Sequence, residues 1–263
     1  MMSTGAPSTT ELPIVDLGAQ SDWNMVLDGI LISIAALDPA ALGRSLDREG
    51  FAMIPPLVDR HACAELARLY GASEERFRST VTMGRYGFGQ GEYKYFARPL
   101  PPPVAALREA LYERLAPIAN SWAERLGQDP AWPASHAALV TRCAAAGQTR
   151  PTPLLLRYGP GDYNCLHQDL YGDIHFPLQV ILLLDRPGID FYGGELILVE
   201  QRPRRQSRPM VVPLTQGAMA VIPVKERPVQ GARGTSRVHM RHGVSTIHRG
   251  LRRTLGLIFH DAA

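Results

Sequence analysis

Cysteine is scarce in this chain: Cys63, Cys143 and Cys165 are the only three, and no two share the short spacing of a zinc or redox motif. An odd set of thiols offers no disulfide framework and fits a reducing, cytoplasmic compartment. Long apolar runs are missing too. "ILISIAAL" (30–37) is far too short to span a bilayer, so no membrane partner is expected. The opening "MMSTGAPSTTELPIVDLGAQ" lacks the basic region that begins a secretory signal. Positive charge is also absent at first: no Lys or Arg precedes Arg44, whereas Glu11, Asp16, Asp22, Asp28 and Asp38 all do.

What is present is a globular composition. Hydrophobic residues make up 45% and charged residues 20% of 263 positions, enough to bury a large core in one large domain or two small ones. The net charge of +3 conceals a basic C-terminal half, because from Arg202 to Arg253 a dense run of arginines faces Glu226 alone. Such a run is either a solvated surface or an attractor for a polyanion or an acidic small molecule.

Periodicity divides the chain. "DRHACAELARLYGASEERF" (59–77) reads as an amphipathic helix, a second helix begins at Pro103 with a kink expected at Pro117, and 134–147 forms a third. The Pro-rich 98–103 is a stiff connector. After about residue 150 the pattern turns to short β runs, among them "PLLLRY", "LQVILLLD", "ELILVE", "MVVPL", "AMAVIPV" and "TLGLIFH". Helices followed by many antiparallel strands predict an α+β fold, a sandwich or jelly roll buttressed by helices. The expected organisation is an acidic segment 1–45, either partly disordered or a cap, then one domain over 46–263. Its helical support would occupy 46–150 and its β core 150–263.

Within "LLLRYGPGDYNCLHQDLYGD" (154–173), His167 and Asp169 stand two apart, so an extended strand points both to one face and turns Gln168 away. An imidazole and a carboxylate are two of the three ligands of the facial triad that holds non-haem iron. The third ligand must come from His175, His239, His242, His248 or His260. His242 is favoured by the segment it opens, "HGVSTIHRGLRRTLGLIF". There Arg252, ten residues on, begins a strand with Leu255, Leu257 and Phe259 on one face and Arg252 and Thr254 on the other. A guanidinium beside a hydroxyl is a receptor for a carboxylate.

These features, with "FYGGELIL" (191–198) and "GAMAVIP" (217–223), appear in the order found in the Fe(II)/2-oxoglutarate-dependent oxygenase superfamily, which residues 150–260 resemble. The resemblance implies a double-stranded β-helix (jelly-roll) core and a dioxygenase consuming 2-oxoglutarate and O2. It implies Fe(II) on His167, Asp169 and His242, and 2-oxoglutarate on Arg252, with Thr254 in the place of the family's Arg-x-Ser hydroxyl. Tyr158 aligns with a tyrosine that reaches 2-oxoglutarate in AlkB-type members, which share Arg-Tyr, Pro-Gly and His-Gln-Asp. Cys165 has the strand parity of the ligands, yet reads as a small buried hydrophobe.

Two segments bear on substrate. "QRPRRQSRPM" (201–210) is a basic loop containing Arg204 and Arg205, and "RYGFGQGEYKYFARP" (85–99) interleaves Tyr93 and Tyr95 with Arg85 and Lys94. Basic and aromatic residues together suit single-stranded nucleic acid or a flipped base; an ordinary hairpin with a buried aromatic side would show the same pattern. "GEYKYF" and "EQRPR" resemble a bacterial, nucleic-acid-related branch of the superfamily. Through AlkB-type enzymes this implies oxidative demethylation of alkylated DNA or RNA, a repair activity, with no obligate protein partner. A hydroxylase of a small acidic metabolite, amino acid or protein side chain, and a non-enzymatic cupin-like binding protein, are the alternatives.

Overall fold

The computed structural model describes residues 20–129, 131–202, 204–231 and 234–263. Residues 1–19 of the acidic segment lie outside them. The segment continues as α1 (Gln20–Ala35) and α2 (Pro39–Glu49), the latter capped by Asp38, which accepts from the Ala40 amide at 2.8 Å. Ile30, Ile34, Leu42 and Leu46 pack in the same apolar cluster as the later helices. The short strand β1 (Ala52–Ile54) and α3 (Arg60–Arg68) come next.

The helix expected over 59–77 is therefore cut short. Beyond Arg68 the chain makes 3-10 turns at Leu69–Gly71 and Glu74–Arg76, and Phe77 opens β2 (Phe77–Thr82). Gly71 weakens the helix, and Phe77 stacks on Phe96 at 5.1 Å in β4 (Glu92–Phe96). A two-residue strand, β3 (Gly89–Gln90), lies between them. After these come α4 (Pro102–Arg125), which continues through Pro117, and α5 (His136–Ala145), capped by Ser135.

The β core then runs as β5 (Leu154–Tyr158), β6 (Tyr163–His167), β7 (Leu178–Leu183), β8 (Phe191–Gly193) and β9 (Leu196–Gln201). It continues as β10 (Arg208–Val212), β11 (Met219–Pro223) and β12 (Glu226–Gly231). It closes with β13 (Gly234–Val244), β14 (Ile247–Gly250) and β15 (Arg252–Ile258). One sheet has the order β1-β11-β7-β15-β5-β4-β2; the facing one runs β10-β9-β13-β6-β3, with β12 also on β13. This is a jelly-roll core with N-terminal helices.

Alternation sorts side chains into two layers. Leu178, Val180 and Leu182 of β7, Met219 and Val221 of β11, and Leu255 and Leu257 of β15 join the helices in one cluster. On the other face, Leu183, Ala220 and Ile222 meet Leu196, Leu198, Met210, Val238 and Met240 of the second sheet. The long sheet is thus buried on both faces, which is why its strands read as nearly continuous apolar runs.

Candidate metal centre

His167 ends β6 and sits directly opposite His242 of β13. Further along this pair the register slips, so that Val244 faces Asn164 rather than Cys165. The strands come close there: a side chain at Gly243 would lie 2.7 Å from the Asn164 carbonyl. Gln168 is turned out, donating to the carbonyls of Lys225 at 3.0 Å and Met240 at 2.8 Å. That pins the turn after β6 and leaves Asp169 pointing inward.

Ligand-capable atoms of His167, Asp169 and His242 all lie within 4.8 Å of one another, the one such group among the described residues. His242 Nε2 is 3.1 Å from Asp169 Oδ2, and His167 Nε2 is 3.6 Å from Oδ1. His167 Nδ1 lies 2.8 Å from the Cys165 carbonyl, a contact that puts the proton on Nδ1 and the lone pair on Nε2, facing Asp169. Burial, reinforced by His242, pushes the His167 pKa down and keeps the ring neutral, as a ligand must be. Burial opposes charge on Asp169, but hydrogen bonding from His242 and Tyr171 outweighs it, holding its carboxyl well below the usual carboxylate range. Two imidazoles and one carboxylate make a donor set that fits a divalent transition metal.

These groups line a cavity of about 290 Å³ between the sheets. Arg252 enters it from the start of β15, directly opposite Tyr158 of β5, with Thr254 two residues on. The Arg252 guanidinium lies 5.6 Å from the Tyr158 ring centroid. It is buried, its Nε has no hydrogen-bond partner, and no carboxylate among the described residues bonds to it. Space for it comes from Gly194, at φ +68°, where a Cβ would lie 2.9 Å from Arg252 Cδ. Tyr158 is fully buried, and its hydroxyl accepts from Asn164 Nδ2 at 3.2 Å.

The substrate candidates divide. Tyr93 and Tyr95 line the cavity with Phe88, whereas Arg85 is exposed in the same turn and is not among the lining residues. Lys94 is not brought to the site: it is buried, with Nζ 3.5 Å from Glu74 and over the Tyr70 and Phe77 rings. Alternation along β4 is the reason, and it was available in the sequence. Arg204 and Arg205 are exposed on the β9–β10 hairpin and do not line the cavity.

The basic run is also less free than its count implies. Arg202 and Arg227 pair with Glu200, Arg237 with Glu226 and Arg253 with Asp185, so part of its charge is matched by acids. Sequence reasoning passed over Gln179, whose buried amide nitrogen lies 3.2 Å from His242 Nε2, and Tyr171, which donates to Asp169 Oδ1 at 2.7 Å. For Gln179 the signal was a lone polar residue in an apolar strand. Cys63 and Cys143 are buried free thiols, while Cys165 is exposed and on the cavity wall, not the buried hydrophobe expected. No single helix among the described residues is long and apolar enough to cross a membrane.

Two uncharacterised proteins, from two strains of Mycobacterium tuberculosis, are each 47% identical over 196 residues, which is 73% of this chain and 84% of each relative. A prolyl-4-hydroxylase from Pseudomonas putida shares the fold, with a TM-score of 0.51 at 15% identity over 86% of this chain and 100% of that one. Residues 91–262 match the family model described as "Oxygenase, catalysing oxidative methylation of damaged DNA". With that match spanning both the β core and the triad, this chain belongs to that oxygenase family.

Proposed function

We propose that His167, Asp169 and His242 hold Fe(II), that Arg252 with Thr254 and Tyr158 holds 2-oxoglutarate, and that the enzyme demethylates alkylated nucleic acid by oxidation. The observation that carries the cofactor assignment is a convergence. A three-ligand cluster and a buried guanidinium with no salt-bridged carboxylate among the described residues open into one cavity. A buried cation left alone is costly, and a dicarboxylate reaching from the metal would compensate it. Family membership sets aside the non-enzymatic binding protein.

Iron with 2-oxoglutarate and O2 supplies the oxidant: the keto acid becomes succinate and CO2, and one oxygen atom enters a substrate C–H bond. The chain's own residues bind, orient and exclude water. His167 and His242 donate neutral nitrogens, Asp169 contributes the balancing charge, and Arg252 fixes the far carboxylate through charge-assisted hydrogen bonds. Leu154, Leu156, Ile181, Leu196 and Ile258 keep the chamber apolar.

Support for nucleic acid comes from the family description and from the mouth of the cavity. Tyr86 and Phe88 are 62% and 48% exposed and lie nearly parallel, 5.5 Å apart. Flat, accessible ring faces accept a base of any sequence, and exposed Arg85 next to them suits a phosphate. A hydroxylated N-methyl group is a hemiaminal, which releases formaldehyde and leaves the base unmethylated.

The test supplies Fe(II), 2-oxoglutarate, ascorbate and a single-stranded oligonucleotide bearing N-methylated bases. Formaldehyde and unmethylated base should accumulate in step with succinate. Succinate release stimulated only by amino acids or peptides would transfer the reading to a small-molecule or protein hydroxylase. Arg252→Ala should weaken 2-oxoglutarate binding by about 1.5–3 kcal/mol, roughly 10- to 150-fold, in a calorimetric titration. Unchanged affinity would defeat the assignment. Its neighbours are already engaged, Arg253 with Asp185 and Arg249 over the Tyr192 ring.

A further inference from the structure

Both oxygens of Asp169 face a triad imidazole, Oδ1 that of His167 at 3.6 Å, but they differ in that Oδ1 also accepts from a donor outside the triad. Oδ2 faces His242 Nε2 at 3.1 Å, while Oδ1 accepts the Tyr171 hydroxyl at 2.7 Å. Tyr171 is itself held. Its hydroxyl accepts from Tyr95 at 2.9 Å, the two rings meet edge to face at 6.0 Å, and its carbonyl accepts from the Ala263 amide at 3.0 Å. Tyr95 in turn is buried, with the Arg78 guanidinium 4.2 Å from its ring centroid and Arg78 Nε bound to the Pro151 carbonyl at 2.8 Å. A chain of donors thus runs from β4 to a single carboxylate oxygen.

We propose that Tyr171, backed by Tyr95, is a positioning residue that commits Asp169 Oδ1 to a hydrogen bond and so presents Oδ2 alone to the metal. The inference rests on the metal assignment made above. Its chemical sense lies in the number of open positions. A chelating keto acid and O2 both need room on the metal, and a carboxylate binding through both oxygens would occupy a position they require. Hydrogen bonds to ligating carboxylates fix which oxygen binds and at what angle, and losing such a partner lowers metal affinity about 10- to 100-fold.

The experiment titrates metal-stripped, full-length enzyme with Mn(II), following free Mn(II) by electron paramagnetic resonance. The variants are Tyr171→Phe, Tyr95→Phe, the pair together, and His242→Ala, each melted in its metal-free form as well. Tyr171→Phe keeps the ring and its packing, so a purely structural role predicts unaltered Mn(II) affinity. The proposal predicts a loss of about 10- to 100-fold with the metal-free melting temperature little moved. Because Tyr95 acts through Tyr171, Tyr95→Phe should cost less, and the double variant should bind no more weakly than Tyr171→Phe alone. Wild-type affinity in Tyr171→Phe, or additive losses in the pair, overturns the proposal and leaves the metal assignment standing. Failure of the wild type to bind Mn(II), or undiminished binding by His242→Ala, overturns both.

Discussion

Asp169→Ala should reduce succinate release to background while the protein still folds. The substitution removes the single anionic donor of the triad, leaving two neutral imidazoles that cannot compensate a divalent cation or define a face of open positions. Asp169 also accepts from Tyr171 and lies against His242, so the variant leaves those two groups short of a partner, at a cost of about 1–3 kcal/mol. It removes a buried charge at the same time, and the fold should survive. Succinate measured with added Fe(II) and ascorbate, alongside a circular dichroism melt, separates the two effects. Turnover close to that of the wild type would mean that the cluster at 167, 169 and 242 holds no iron.

Arg108→Ala should cause a large loss of stability from one substitution away from the site. Arg108, 1% exposed on α4, donates to the carbonyls of Ile258 at 2.8 Å, Phe259 at 2.9 Å and His260 at 3.2 Å. It also bonds Asp261 Oδ1 at 2.8 Å and Thr152 at 3.2 Å. The guanidinium thus clamps the helical layer to the end of β15. Truncating it takes one donor from each of these carbonyls, which keep only Thr152 or His136 as partner, and leaves Asp261, 0% exposed, with Arg98 alone as counter-charge. Breaking a buried ion pair in this way costs about 3–5 kcal/mol. For a chain of this size that is roughly 6–20 °C of melting temperature, readable by calorimetry. A loss below about 1 kcal/mol would show that the clamp is redundant.

Much of the core and the triad was legible from the sequence, for a definite reason. Strands buried on both faces must be apolar along their length, so β7 and β11 were visible as runs. The alternation of β15 was visible too, with Arg252 and Thr254 opposite Leu255 and Leu257. His-x-Asp was readable because strand geometry forces the two side chains to one face. What stayed hidden depends on contacts made at a distance. The helices α1 and α2 lie in an acidic stretch, where Ile30, Ile34, Leu42 and Leu46 find their partners only in the packed helical layer. The strands β2 and β4 pair only with each other and with β5. Tyr171 is an ordinary turn residue until the fold sets Tyr95, 76 positions earlier, beside its hydroxyl. Lys94 points away from the cavity because alternation along a strand, and not composition, decides which face a side chain takes.

The clamp at the end of β15 gives the helical layer a bearing on chemistry it never touches. The strand that lays Leu255 and Leu257 in the apolar cluster of the helices also extends Arg252 and Thr254 toward the cavity. Wear on the helix side, through substitution or loosened packing, should therefore surface first as a poorer grip on the keto acid, at temperatures well short of unfolding.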